Sequence, residues 1–223
     1  GTTTSKNESK FAMTSLKIIP EEKPDINKVT TCSLLDKSAM SRNVLTKEEC
    51  NRVIEMGRTW EDVDAQIQTK SPKEESEKND DYRNCKMYGP PVDDTESWLW
   101  IGQKISAAIY NFNANEGWKF NLIGMAERPM MMEYEEGQGK YDWHIDLGPS
   151  RLASRRELGF TLFLNDDYEG GEFQIKTGRN NYIPPQQETG NLLFFPSYLV
   201  HRVTLVTKGT RSVTVGWMHG NSF

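Results

Sequence analysis

His144 and Asp146, two positions apart, offer the most pointed chemistry in the chain. In an extended segment that spacing turns both side chains to one face, and an imidazole beside a carboxylate is a ligand pair suited to Fe(II). The sequence holds three histidines, so a third ligand must come from His201 or His219. His201 is the stronger candidate. It follows an apolar run, residues 191–196, that reads as a buried strand, and the interval from His144 leaves room for several short strands to fold back. His219, past Trp217 near the end of the sequence, is expected at the surface.

A pair of the form His-X-Asp is weak evidence alone, because short patterns arise by chance. Arg211 strengthens it. A strand reading of 211–218 puts Arg211, Val213 and Val215 on one face. An arginine on such an apolar face needs an anionic partner, and a guanidinium can grip a carboxylate through two parallel hydrogen bonds. His144, Asp146 and His201 would form a two-histidine, one-carboxylate triad that leaves coordination positions open for substrates.

The segments HID at 144–146 and HRVTLVTKGTRSVTVGW at 201–217 together resemble the prolyl-hydroxylase-like branch of the 2-oxoglutarate and Fe(II)-dependent dioxygenases. The similarity covers roughly residues 118–217 and takes in Tyr134 and the LLFF run before His201. It implies a mostly β fold with supporting helices, a double-stranded β-helix or jelly roll. It also implies Fe(II) held by His144, Asp146 and His201, with 2-oxoglutarate and O2 in the open positions and ascorbate as an accessory reductant. Arg211 would hold the far carboxylate of 2-oxoglutarate, with Tyr134 and Thr161 as hydroxyl donors. Phe163 stands where some relatives have tyrosine. Tyr141, Trp217 and Arg151 are candidate substrate contacts. Arg151, Arg155 and Arg156 form a cluster that could face an acidic partner.

The reaction implied is oxidative decarboxylation of 2-oxoglutarate to succinate and CO2, coupled to hydroxylation of an unactivated C–H bond. Asp146 favours hydroxylation, since related halogenases lack this carboxylate. A prolyl residue of a peptide or protein is the expected substrate. Alternatives are a free amino acid, an alkylated nucleic-acid base, or a cupin-like metal or ligand-binding module without oxygen chemistry. Relatives that act on bases carry a second arginine where Trp217 stands. Cupin sites usually recruit more histidines than this chain offers.

The elements that must position these residues are legible in outline. A chain of 223 residues suits one domain with a full core. Residues 1–25 read as a flexible tail and lead-in, 26–223 as the domain, and 118–218 as its jelly-roll core. The net charge of −5 and pI near 5.4 argue against a nucleic-acid partner. Neither a membrane span nor a signal sequence is visible, so a cytoplasmic protein is expected. Cys32, Cys50 and Cys85 form no disulfide or zinc pattern.

Thr46 with Glu49 forms a capping box that opens a helix with an apolar stripe of Cys50, Val53 and Ile54. Residues 93–112 repeat Trp98, Ile101, Ile105, Ile109 and Phe112 at helical spacing, with Asp94 or Thr95 as cap. Strands are expected at 29–35 and at eight places from 119 to 218, including 141–145, 157–165, 191–196, 200–206 and 211–218. The charged run 61–85 reads as a solvated loop or a lid over substrate.

Overall fold

The structure is a computed structural model that describes residues 37–63, 82–93, 95–115 and 117–221. The expected strand at 29–35, the lead-in 1–25, Cys32, Asp94 and the central part of the 61–85 run lie outside the described residues.

The capping box forms as read: the Thr46 hydroxyl accepts from the Glu49 N–H, and the Glu49 carboxylate accepts from the Thr46 N–H. It opens helix α1 (Lys47–Gly57), which buries Cys50, Val53 and Gly57. The second helix, α2 (Thr95–Asn115), buries Ile101, Ile105 and Ile109, each worth about 1.5–3 kcal/mol of transfer out of water. Thr95 is the first residue of the helix and not its cap.

Two antiparallel sheets face each other. The larger runs in space β1 (Ala39–Ser41), β12 (Leu192–Pro196), β8 (Arg156–Phe163), β15 (Thr210–Gly220), β6 (Met130–Glu135), β4 (Lys86–Gly89) and β2 (Glu61–Asp62), with β5 (Leu122–Gly124) also paired to β15. The smaller runs β11 (Asn180–Tyr182), β10 (Phe173–Thr177), β13 (His201–Val203), β7 (Lys140–His144) and β3 (Arg83–Asn84). A two-stranded ribbon pairs β9 (Glu169–Gly170) with β14 (Val206–Lys208). The expected strand at 200–206 is therefore two strands, β13 and β14, that pair in different sheets.

The alternation of side chains along the central strands divides the core in two. Leu158, Phe160, Leu162, Leu192 and Phe194 pack with Ile101, Ile105 and Ile109 of α2 and with Cys50 and Val53 of α1. The intervening residues Phe163, Leu193 and Phe195 turn to the opposite face. There they meet Phe173, Ile175 and Val203 of the smaller sheet, with Tyr134 and Val213 alongside. One face of the larger sheet is covered by helices and the other closes on the second sheet, the double-sheet arrangement of a jelly roll. The edges of the 61–85 run are themselves strands. Glu61 and Asp62 pair with β4, and Arg83 and Asn84 pair with β7.

Candidate active site

His144 and His201 are ladder partners across β7 and β13, so the antiparallel pairing alone brings the rings to 4.1 Å between centroids. Asp146 follows β7, and its Oδ1 lies 4.0 Å from His144 Nε2 and 3.7 Å from His201 Nε2. The three donor atoms all fall within 4.8 Å of one another and could hold a metal ion. Both rings are oriented by their other nitrogen. His144 Nδ1 is 2.7 Å from the Asp142 carbonyl and His201 Nδ1 is 2.9 Å from that of Leu199. A carbonyl can only accept, so each Nδ1 carries the proton and each Nε2 presents a lone pair.

Burial favours the uncharged ring in both cases. It holds His201 down to about 4 against the pull of its Leu199 hydrogen bond. It does the same to His144, where the His201 charge adds to the effect. Burial raises Asp146, opposed by His144 and by a hydrogen bond from the Trp217 side chain. At neutral pH both imidazoles are therefore ready to ligate without first losing a proton.

The strand pairing contains a departure that residue spacing does not reveal. Val203 pairs with Tyr141 while His201 pairs with His144, so β7 carries one residue more than β13 over this stretch. Such a bulge re-aims side chains. Tyr141, three residues before His144, would face away from it in a regular strand, yet its ring stacks on His144 at 3.6 Å with an 11° interplanar angle. Tyr82 meets Tyr141 edge-on at 5.7 Å, and burial pushes the Tyr141 hydroxyl up to about 12. Trp143 lies on the reverse of the sheet, under Arg202 at 4.4 Å.

A second bulge sits in β8, where Met218 pairs with Leu158 but His219 pairs with Arg156. Arg156 thereby lies 3.4 Å over the Trp217 ring. Its guanidinium clasps Glu127 through Nε and Nη2 at 2.7 and 2.6 Å and donates to the Asp146 carbonyl at 3.1 Å. This corrects one reading of the 151–156 cluster: Arg156 is engaged within the protein, whereas Arg151 and Arg155 are exposed. His219 also departs from expectation. It is 1% exposed and bonds Glu127 through Nε2 at 2.9 Å, because β15 runs on through residue 220.

Gly159 is the floor beneath Asp146. A Cβ there would meet Asp146 Oδ2 and come within 3.0 Å of the Phe195 ring. Gly159→Ala is expected to displace the carboxylate and weaken metal binding on the order of tenfold or more, at an overpacking cost of about 1–3 kcal/mol. Mn(II) titration followed by electron paramagnetic resonance, with a thermal melt, measures both.

Arg211 is 1% exposed, and among the described residues none of its three side-chain nitrogens has a hydrogen-bond partner. It pairs in register with Tyr134, and its guanidinium stands 5.1 Å from the Tyr134 ring and 5.5 Å from that of Phe163. Tyr134 and Thr161 are both buried. Among the described residues the Tyr134 hydroxyl finds only Met132 Sδ, at 3.8 Å, and burial pushes its pKa well above the ordinary tyrosine range, so it stays protonated. The ring contacts offset part of the cost of burying the cation, but a carboxylate is the chemistry its donors fit.

Residues 129–219 match the family model of the 2OG-Fe(II) oxygenase superfamily. The chain is 42% identical over 120 residues to a PKHD-type hydroxylase of Synechococcus sp. strain CC9311, an alignment that takes in 53% of this chain and 52% of that protein. A PKHD-type hydroxylase of Synechococcus sp. strain CC9902 is 40% identical over 103 residues, 44% of each chain. The chain thus spans about half the length of the curated relatives it matches.

The architecture is shared with a Pseudomonas putida prolyl-4-hydroxylase at a TM-score of 0.61 and 15% identity, over 83% of this chain and 93% of that one. It is also shared with a Trichoplax adhaerens prolyl hydroxylase solved with a hypoxia inducible factor oxygen degradation domain peptide fragment. There the TM-score is 0.62 and the identity 17%, over 82% of this chain and 84% of that one. Among the described residues no helix is long and apolar enough to cross a membrane.

Proposed function

We propose that the chain is a 2-oxoglutarate- and Fe(II)-dependent dioxygenase that hydroxylates a prolyl residue of a peptide or protein. The observation that carries the reading is Arg211, a buried guanidinium without a hydrogen-bond partner among the described residues, in the same fold as the His144, Asp146 and His201 cluster. A cupin-like binding module gives no reason to bury a cation in that way, since an unpaired charge is costly.

His144, Asp146 and His201 would hold Fe(II), and Arg211, with Tyr134 and Thr161, would hold the distal carboxylate of 2-oxoglutarate. Iron and cosubstrate, when bound, supply the oxidising power for C–H hydroxylation. The protein's own residues do the positioning. The Asp142 and Leu199 carbonyls keep both histidine Nε2 atoms aimed at one point. The Tyr134, Phe163, Phe173 and Phe195 rings belong to the apolar layer between the sheets, which limits water and strengthens the Arg211 charge pair.

At the mouth, Tyr141 is half-buried on His144 with Tyr82 against it, an aromatic ledge that suits the apolar ring of a proline. Trp217 and Arg151 remain part of the proposal as substrate contacts. The 61–85 run would serve as the lid, and β3 at its edge adjoins β7. Ascorbate enters as an accessory reductant, tested by whether it prolongs turnover. A cytoplasmic location is part of the same proposal.

Mass spectrometry of a proline-containing peptide library after turnover with Fe(II), 2-oxoglutarate and O2 tests the substrate. A gain of one oxygen atom at proline is expected. A gain at lysine or asparagine, or on a free amino acid, would remove the prolyl assignment and leave the dioxygenase chemistry in place.

A further inference from the structure

Strand β7 ends at His144, so no continuous ladder fixes Asp146, the one carboxylate of the triad. Its backbone N–H donates to the Ser197 carbonyl at 3.0 Å. Its backbone carbonyl accepts from Arg156 Nη1 at 3.1 Å. The same guanidinium stacks on Trp217 at 3.4 Å, so its place fixes that of the Asp146 backbone at the mouth of the triad.

What holds that guanidinium is Glu127. It accepts from Arg156 Nε and Nη2 at 2.7 and 2.6 Å, the two-point geometry that fixes both distance and plane. Its Oε2 also accepts from His219 Nε2 at 2.9 Å. His219 Nδ1 accepts from the Ala126 N–H at 3.1 Å, which ties the loop before β6 to the end of β15. With Nδ1 an acceptor, Nε2 must carry the proton and donate it to Glu127. His219 is buried and Glu127 and Arg156 are half-buried, and the bonds interlock, so the arrangement admits little play.

We propose that Glu127 and His219 are positioning residues which, through Arg156, hold the Asp146 carboxylate free for the metal. The proposal rests on the reading of Asp146 as a metal ligand. The physical point is competition. An Arg156 not engaged by Glu127 would be a free cation beside a buried carboxylate, and a charge-assisted bond between the two would take up the oxygen that the metal needs. Glu127 occupies two donors of Arg156 and leaves it one for the Asp146 backbone. His219 holds Glu127 in the plane that makes this possible.

The test is Co(II) titration of the metal-free protein, read by its d–d absorption, followed by 2-oxoglutarate titration at saturating Co(II). Glu127→Ala is expected to weaken Co(II) binding about 10–100-fold, the usual range for groups behind a metal ligand, and to alter the d–d bands. His219→Ala should weaken it less. His219→Gln should restore it, since a glutamine amide can still donate to Glu127. The cosubstrate affinity of the loaded variants should be unchanged, because Arg211 belongs to a separate set of contacts.

Wild-type Co(II) affinity in Glu127→Ala, with binding lost in His201→Ala, would overturn the proposal and leave the triad standing. Full affinity in His201→Ala would overturn the metal site and the proposal with it. A parallel loss of metal and cosubstrate binding would mean general loosening and would also overturn it. Should Glu127→Ala fail to fold, equal affinities in His219→Ala and His219→Gln would do the same.

Discussion

Replacing Arg211 by methionine is expected to weaken 2-oxoglutarate binding by roughly 2–5 kcal/mol, the range for losing one member of a desolvated, hydrogen-bonded charge pair. That corresponds to a dissociation constant raised roughly thirtyfold to several-thousandfold. Metal affinity should be untouched, because the triad gains nothing from the guanidinium. The sign of the stability change separates this role from a structural one. An arginine that served the fold would be missed in the ligand-free protein. Here all three nitrogens are without hydrogen-bond partners among the described residues, so removing the charge should leave the melting temperature of the ligand-free protein unchanged or raise it. Calorimetric titration and a thermal melt of the same variant decide both points. An unchanged cosubstrate affinity would assign the carboxylate to another cation.

Loss of any one triad residue is expected to abolish metal-dependent turnover. His144→Ala and His201→Ala each remove a neutral Nε2 donor, and Asp146→Ala removes the only negative charge in the ligand set. The loss should show first as metal content after dialysis and then as succinate formed per enzyme. The burial that holds both rings uncharged also means that none of these variants should be rescued by raising the pH from neutrality, since the wild-type rings carry no proton to lose at Nε2. Recovery of turnover at high pH would argue against the neutral-ligand account.

The parts of this arrangement that obey simple periodicity are legible in the amino-acid sequence itself. The apolar run that delivers His201 and the face shared by Arg211, Val213 and Val215 depend on regular strands, and those strands form; the pair of His144 and Asp146 is brought together although β7 ends at His144. The capping box at Thr46 and the isoleucine stripe of α2 are equally local signals, satisfied within a few residues of chain.

What is not legible there depends on pairing across the sheet. The extra residue in β7 that stacks Tyr141 on His144, and the extra residue in β8 that turns Arg156 onto Trp217, leave no mark in residue type, because a bulge is defined by the partner strand. Short edge strands such as β2 and β3 are likewise induced by β4 and β7. His219 departs from expectation for a different reason. Its position near the end of the sequence suggests exposure, whereas the alternation that begins at Arg211 runs through it and Glu127 arrives from a distant loop to meet it. Extending the strand to Gly220 is the signal that could have found it.

If one metal site and one cosubstrate site lie in register within this fold, anaerobic addition of 2-oxoglutarate to the Fe(II)-loaded protein will report both at once. A visible charge-transfer band is expected that grows with cosubstrate to a one-to-one end point, is absent in His201→Ala, and in Arg211→Met appears only at much higher cosubstrate concentration. Iron bound by the wild-type protein with no such band at saturating 2-oxoglutarate would contradict it.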